Sequence, residues 1–560
     1  MDELPDLPDC VLSYIFSKLP VVDLLRTSVL SKKWIHEWGS RTDLNIDIHN
    51  MFNQDTLHKT YGDFLVRLDQ FILHYPGATI RSVKLNYPLE DDIFSDIVDN
   101  FISQVISKGA QRIELLCSKH NSPDIHFITG KDTYKFSFTH TNHSLNYLHL
   151  QNCRLSPSID FTQLKSLTTL VLHLLNLKQH MLSGILSNCV NLQDLTLKNC
   201  LYDFDVDITS PSLCHLKIVD HIKLWRTIHW KLWLDIYALN LSSFEFSSRL
   251  ATFKLNNIKA PKLSKFNCNC KTIPPYVFCG MDKLKQLVLV EVLVPKDILP
   301  SLFSNCRKLE ELTFWGCTFE SSISIISPTL HRLNIIDFDC VPWDLDIDAL
   351  NLSSFDYRGQ LTIRSIKAPQ LLNLFWNTTK NEQIPHAFDI IATLPQLHNL
   401  SINLSHSNIA ILPSSLGPFQ HLRKLNLFIG GGDSSDPNYP FFRILDIVMA
   451  SPLLQELCIN IGDTQSGADQ RHRKELGGCA DSDTYQRLFA RHRHLWENMS
   501  CLKKITFESG DRFYVGAGIW NTGSGSDDDK CVSSGISFMC ERLKDEVMNN
   551  DYLSFCSIVD

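Results

Sequence analysis

Leu145-Asn146-Tyr147-Leu148-His149-Leu150-Gln151-Asn152-Cys153-Arg154-Leu155 spaces its leucines one-four-six-eleven. Leu148 and Leu150 alternate as one face of a β-strand requires. The chain must then bend away, and a small Asn or Cys fits the crowded bend. The same order returns, with aromatic substitutions, in Leu309-Glu310-Glu311-Leu312-Thr313-Phe314-Trp315-Gly316-Cys317-Thr318-Phe319. Shorter versions start at Ile80, Ala110, Leu145, Leu167, Leu192, Leu213, Leu241, Leu263, Leu284, Leu309, Leu330, Leu352, Leu371, Leu397, Leu422, Leu454 and Leu502. From Leu145 to Leu422 the steps are 22, 25, 21, 28, 22, 21, 25, 21, 22, 19, 26 and 25 residues.

This template at a period of about 20–29 residues is the leucine-rich repeat. It predicts an α/β fold, a leucine-rich-repeat solenoid whose curved parallel sheet lines the concave side over residues 145–510. Concave positions include Asp194, Thr196, Lys198, Glu311, Thr313 and Trp315. The 25-residue steps hold helical segments at 179–186 and 296–303, whereas steps of 21–22 residues are too short for a long helix and carry Ser-Pro or Ala-Pro turns. The convex side is therefore expected to be ragged, with helices only in places.

A larger duplication overlies the repeats. Leu186-Ser-Asn-Cys-Val-Asn-Leu192 pairs with Phe303-Ser-Asn-Cys-Arg-Lys-Leu309, and Ser210-Pro-Ser-Leu213 with Ser327-Pro-Thr-Leu330, both offset by 117. Leu239-Asn-Leu-Ser-Ser-Phe244 pairs with Leu350-Asn-Leu-Ser-Ser-Phe355 at 111, and Ile258-Lys-Ala-Pro261 with Ile366-Lys-Ala-Pro369 at 108. Residues 167–283 and 284–396 thus read as two copies of a five-repeat block, with an insertion near 221–230 in the first. Its Trp225 and Trp230, with Trp233, are expected to pack locally, with covering an edge or meeting a partner as the alternative. Residues 41–144 read as an irregular linker with degenerate first repeats, including an amphipathic helix over 91–108. Residues 430–439 and 463–483 are Gly/Asp/Ser-rich loops, and 511–560 a partly disordered tail.

The first forty residues follow a different rule. Val11, Leu12, Ile15, Phe16 and Leu19 recur at helical spacing. Pro8 and Asp9 suit a first helical turn, and Pro20 ends the helix. A second short helix carries Leu24, Leu25, Val29 and Leu30, and a third, capped by Ser31, carries Trp34, Ile35 and Trp38. So small a module cannot bury all these side chains alone. Some of its apolar surface must face either the following domain or a partner, and spacing alone leaves both open.

The residue order resembles the plant F-box: Leu7-Pro8-Asp9, Val11-Leu12, Ile15-Phe16, Leu19-Pro20, then Arg26-Thr27-Ser28-Val29-Leu30-Ser31-Lys32-Lys33-Trp34, ungapped. Phe16 and Lys33 are mild departures from the family's Leu/Ile and Arg. The chain is thus similar to plant F-box/leucine-rich-repeat proteins, with a three-helix F-box at 1–40 ahead of the solenoid. The resemblance implies docking on a Skp-type adaptor and, through it, a cullin. Leu7, Pro8, Val11, Leu12, Ile15, Leu19, Val29, Leu30 and Trp34 would shape that surface, some of them holding the F-box together instead. It further implies a substrate-recognition subunit of a Skp–cullin–F-box ubiquitin ligase, whose arc binds an unidentified protein. A protein-binding scaffold without ubiquitin transfer is the alternative.

Composition narrows the function classes. Net charge is −8, from 53 basic and 61 acidic residues, which argues against a nucleic-acid binder. The start, Met-Asp-Glu-Leu-Pro-Asp, lacks an apolar leader, and the apolar run at 287–294 is broken by Glu291. No membrane association is expected, and the cytoplasm or nucleus is the expected location, with the 18 cysteines reduced. Asn-x-Ser/Thr triplets at Asn240, Asn351 and Asn377 would then go unglycosylated. Phosphate-binding loops, nucleophile elbows and His-Glu-x-x-His are missing, so no catalytic residue, enzyme activity or cofactor is expected. The glycine run Gly430–Gly432 lacks a flanking lysine and reads as loop. Cys268, Cys270 and Cys279 lack a second ligand pair, so core packing is expected and no metal. The basic runs 471–474 and 491–494 read as solvated loop faces. A hormone-type co-receptor would need a concentrated basic pocket, which the legible concave positions do not form.

Overall fold

The computed structural model describes residues 8, 11, 14–15, 18–19, 23, 39, 41–52, 61–87, 95–117, 134–137, 144–157, 159–220, 232–248, 253–338, 344–359, 361–378, 384–405, 419–430, 446–462, 501, 504–509 and 554–555. They fall into two compact units, Met1–Leu284 and Lys285–Asp560.

Among the described residues of the first unit, nine parallel strands pair in chain order. They are β1 (Asp43–Asp47), β2 (Ser82–Asn86), β3 (Arg112–Leu116), β4 (Tyr147–Gln151), β5 (Thr169–His173), β6 (Asp194–Lys198), β7 (His215–Asp220), β8 (Ser243–Ser248) and β9 (Lys265–Cys270). The second unit repeats the plan with β10 (Gln286–Val290), β11 (Glu311–Trp315), β12 (Arg332–Phe338), β13 (Ser354–Gly359), β14 (Asn373–Thr378), β15 (Asn399–Ser405), β16 (Lys424–Gly430), β17 (Glu456–Gly462), β18 (Lys504–Ser509) and β19 (Ser554–Phe555). Sequential parallel pairing with one return path per strand is the architecture of a leucine-rich-repeat solenoid.

Burial alternates along each strand as the template demands: Leu148 and Leu150 face the core at 2% and 1% exposure, while Tyr147, His149 and Gln151 face outward. The first template leucine is sealed in repeat after repeat, with Leu145, Leu167, Leu192, Leu213, Leu241, Leu263 and Leu284 all at 0%. Each such leucine contributes about 2 kcal/mol of transfer free energy. The outward rows carry Asp194, Thr196 and Lys198, and Glu311, Thr313 and Trp315, as expected.

The bend has a backbone cause. The residue after the strand is left-handed in five repeats: Asn152 (φ 54°), Leu174 (58°), Asn199 (51°), Glu291 (54°) and Gly316 (59°). That twist aims its N–H at a carbonyl in the last residues of the next repeat's strand, as from Asn152 to His173 O at 2.9 Å and from Gly316 to Ile336 O at 2.9 Å. The residue that follows, Cys153, Leu175, Cys200, Val292 or Cys317, turns inward. The Cys200 thiol meets Leu172 O and the Cys317 thiol Leu289 O, each at 3.3 Å.

Five helices longer than one turn are described: α1 (Tyr61–His74), α2 (Ser95–Ser107), α3 (Gln179–Asn188), α4 (Ile298–Asn305) and α5 (Ile384–Ala392). α2 covers most of the helix expected over 91–108 and buries Val98, Phe101, Ile102, Val105 and Ile106, the i, i+3, i+4, i+7, i+8 stripe of one helix face. α3 and α4 occupy the 25-residue steps as the sequence predicts.

Two features differ from the sequence reading. The short repeats do not merely turn but build second sheets. Val206–Thr209, Leu232–Tyr237 and Phe253–Lys259 form a parallel trio in the first unit, and Ile323–Ile326, Asp344–Asp348 and Thr362–Lys367 another in the second. Val206-Asp-Ile-Thr and Ile323-Ser-Ile-Ile already alternate with a period of two, the strand signal that the turn residues masked. Secondly, β1 joins the main sheet from a stretch that carried no repeat start, ahead of β2 and β3, which follow the degenerate repeat starts Ile80 and Ala110.

The duplication extends to side-chain bonds. Asn240 and Asn351 each donate Nδ2 to a proline carbonyl, Pro211 and Pro328, at 2.6 Å. Ser212 and Thr329 each donate a hydroxyl to Leu192 O and Leu309 O, at 2.9 and 3.0 Å. Trp225 and Trp230 lie outside the described residues, and Trp233 is half-buried on an outer strand. Cys268 and Cys270 are buried with sulfurs 3.3 Å apart, and Cys279 is exposed. Of the C-terminal expectations, the strands after Leu454 and Leu502 are present. The loops at 431–439 and 463–483, both basic runs, and all of 511–560 except 554–555 lie outside the described residues. No helix among the described residues is long and apolar enough to cross a membrane.

Candidate docking helix and strand face

Pro8 opens the first helical turn by accepting from Val11 N at 2.9 Å. Val11, Tyr14, Ile15 and Lys18 are helical, and Leu19 N closes on Ile15 O at 3.2 Å. Val11 and Ile15 stand one turn apart with Tyr14 beside them, so all three share a face. They are 39%, 39% and 65% exposed, and Pro8 is exposed too. An apolar ridge left in water represents about 1–2 kcal/mol per side chain available to whatever covers it. Lys18 lies 5.5 Å from the Tyr14 ring centroid and keeps a cation at the ridge's edge. Leu19 is half-buried. Leu7, Leu12, Val29, Leu30 and Trp34 lie outside the described residues, so the structure brings together four of the nine expected residues. Tyr14 was missed, though its spacing from Val11 could have marked it.

A junction ties this helix to the sheet. Arg41 Nη1 donates to Leu19 O at 2.7 Å and Nε to Asp43 O at 3.1 Å. A cation on a late helical carbonyl suits the negative end of the helix dipole. The Tyr75 hydroxyl donates to Arg41 O at 2.6 Å. Burial pushes the Tyr75 phenol up to about 12 against the opposing pull of Arg41, and burial lowers the Arg41 guanidinium. Arg81 pairs with Asp43, and its N–H bonds Thr42 O at 2.8 Å. Apart from the Arg41 and Asp43 pair, no sequence signal marks these partners, which lie 22 to 39 residues apart.

The outward rows of the strands form the second candidate surface. In the first unit Arg112 stacks on Tyr147 at 3.4 Å and pairs with Glu114 at 2.6 Å. Burial lowers His149, against Glu114, and lowers His173 to about 4 with help from Lys198 and His149. His173 Nδ1 lies 3.0 Å from Gln151 Oε1. In the second unit Arg358 and Asp356 form a two-bond pair at 3.0 and 2.8 Å, with 10% and 20% side-chain exposure. Arg358 lies 4.5 Å from the Phe375 centroid, and Phe375 lies 6.2 Å from Phe428. Among the described residues no cluster of His, Cys, Asp and Glu is arranged to hold a metal ion.

Comparison with known proteins accords with this geometry. Residues 4–41 match the F-box domain, and residues 72–273 and 263–509 match the At1g61320/AtMIF1 LRR domain. Similar proteins from Arabidopsis thaliana include F-box protein At5g03100, 27% identical over 39% of this chain and 64% of its own length. F-box/LRR-repeat protein 13 is 26% identical over 36% of this chain and 42% of its length. F-box/FBD/LRR-repeat protein At1g78750 is 24% identical over 66% and 81%. The chain thus spans less than two thirds of the first two relatives. The LRR match covers well over half of the sequence, and the chain belongs to the At1g61320/AtMIF1 LRR-domain family, with an F-box domain ahead of its repeats.

Proposed function

We propose that this chain is the substrate-recognition subunit of a Skp–cullin–F-box ubiquitin ligase. The carrying observation is the exposed ridge of Pro8, Val11, Tyr14 and Ile15 inside the stretch that matches the F-box domain. A Skp-type adaptor covers that ridge and links the chain to a cullin. The outward strand rows hold the protein to be ubiquitylated. The chain contributes no nucleophile. It works by holding the target's lysine near a charged conjugating enzyme, converting a bimolecular encounter into a local one. The proposed place of action is the cytoplasm or nucleus.

The test is co-expression of full chain, Skp-type adaptor and cullin. Wild type should bring down both partners, and Val11→Asp with Ile15→Asp should lose both. Recovery of the adaptor without a cullin would favour a scaffold that transfers no ubiquitin. Equal recovery by both forms would reject the docking assignment.

A further inference from the structure

In the second unit one outward row runs unbroken across six paired strands: Trp315, Ile336, Arg358, Asn377, Asn403 and Phe428, each in register with the next. We propose that this row is the contact site for the substrate, and that its occupant is an extended, uncharged peptide segment carrying an aromatic or long aliphatic side chain. The proposal rests on the reading of the strand face as the substrate-holding surface and specifies the chemistry it selects.

The duplication acts as an internal control. The first copy folds on the same turn and core residues, yet Lys198, Val219, Ser247 and Asn269 stand where Trp315, Ile336, Arg358 and Asn377 stand in the second. Folding therefore does not require a tryptophan or an arginine in this row. Trp315 is nevertheless 44% exposed, which costs solvation and offers a large rigid anchor.

Charge excludes other occupants. Asp356, in the neighbouring row, already neutralises Arg358, and two rows away Arg332 pairs with Glu311 at 2.9 Å and Lys424 with Glu456 at 3.0 Å. No uncompensated cation remains among these side chains to recruit a phosphate or an acidic segment. In contrast, Asn377 and Asn403 lie side by side, half-buried, and make no side-chain hydrogen bond to another described residue. Two neutral amides, each both donor and acceptor, suit peptide main-chain groups. Five strand spacings of about 4.8 Å span roughly 24 Å, the length of about seven extended residues at ~3.4 Å each.

The experiment pans a random 12-residue phage-displayed peptide library against the full chain, then measures the enriched peptide by fluorescence polarisation. Enriched sequences should carry little net charge and share an aromatic or long aliphatic residue. Trp315→Lys should weaken binding at least tenfold and Asn403→Ala at least threefold, with melting unchanged, while Lys296→Ala, at an exposed position ahead of α4 and off the outward rows, should change it less than twofold. Enrichment of acidic peptides, preference for a phosphorylated peptide over its plain form, no enrichment, or full binding by Trp315→Lys would each overturn the proposal. Peptide binding needs neither adaptor nor cullin, so its failure and failure of the ligase reading are separately visible.

Discussion

Replacing Gly77 by alanine should damage the first unit more than any other methyl added to a described glycine there. A Cβ on Gly77 would sit 2.4 Å from Gly39 O and 2.5 Å from two atoms of the Tyr75 ring. Ordinary carbon contacts are about 3.5–4.0 Å, so the obstacles must retreat by roughly an ångström. Neither is free to move. The first is backbone, and the second is a ring 4% exposed, tethered to Arg41 O at 2.6 Å and flanked by Lys108 at 5.4 Å. Lys108 Nζ also donates to Gly77 O at 2.7 Å, so the glycine cannot slide away without losing that bond. Overpacking of this kind costs about 3 kcal/mol. Gly109 is the control. It has φ +83° with nothing within 4 Å of an added Cβ, so alanine there costs only backbone strain, about 1 kcal/mol. For a unit of this size those costs convert to melting shifts of roughly 5 °C and 2 °C. Thermal unfolding followed by circular dichroism reads both. A Gly109→Ala loss equal to or larger than that of Gly77→Ala would refute the claim that close approach, rather than torsion, makes Gly77 necessary.

Other expectations follow from single contacts. Arg358→Ala strands a mostly buried Asp356 and should cost about 3 kcal/mol, with Arg358→Ala plus Asp356→Asn costing less; urea midpoints of the double-mutant cycle report the difference. Asn240→Ala and Asn351→Ala should each cost about 1 kcal/mol by urea midpoint, and unequal losses would undercut the equivalence of the two copies. His173 is held neutral, with its folded pKa depressed to about 4, so its contribution is full above the unfolded value near 6.5 and lost as pH falls toward 4. Between pH 7 and 5 the wild type should lose about 1 kcal/mol more than His173→Gln, after allowance for the ring's partial exposure; parallel denaturation curves at the two pH values would remove His173 from the account.

The repeat was legible because its signal is local and renewed every twenty-odd residues. Leu145, Leu192 and Leu309 announced sealed positions, and the duplicated Ser-Pro and Asn-Leu-Ser segments announced matched turns. The outer sheets went unread because four-residue runs such as Val206–Thr209 are too short to outweigh the proline and serine beside them. The left-handed residue after each strand was equally opaque, since Leu174 and Glu291 occupy it without the usual glycine or asparagine. The Arg41–Tyr75–Gly77 junction depends on partners brought together only by folding, which spacing does not encode. In the docking helix, spacing gave the apolar face, whereas the exposure of Tyr14 required coordinates. The contrast between Lys198 and Trp315 was present in the sequence, but only registered strands show that Trp315 heads a continuous row.

The decisive measurement is the dissociation constant of the full chain for a purified Skp-type adaptor, by titration calorimetry, with Val11→Asp, Ile15→Asp beside wild type. Covering the ridge predicts tight binding that the double variant weakens at least a hundredfold while the melting curve stays put. An unaltered constant would mean that the exposed ridge is not where the adaptor sits.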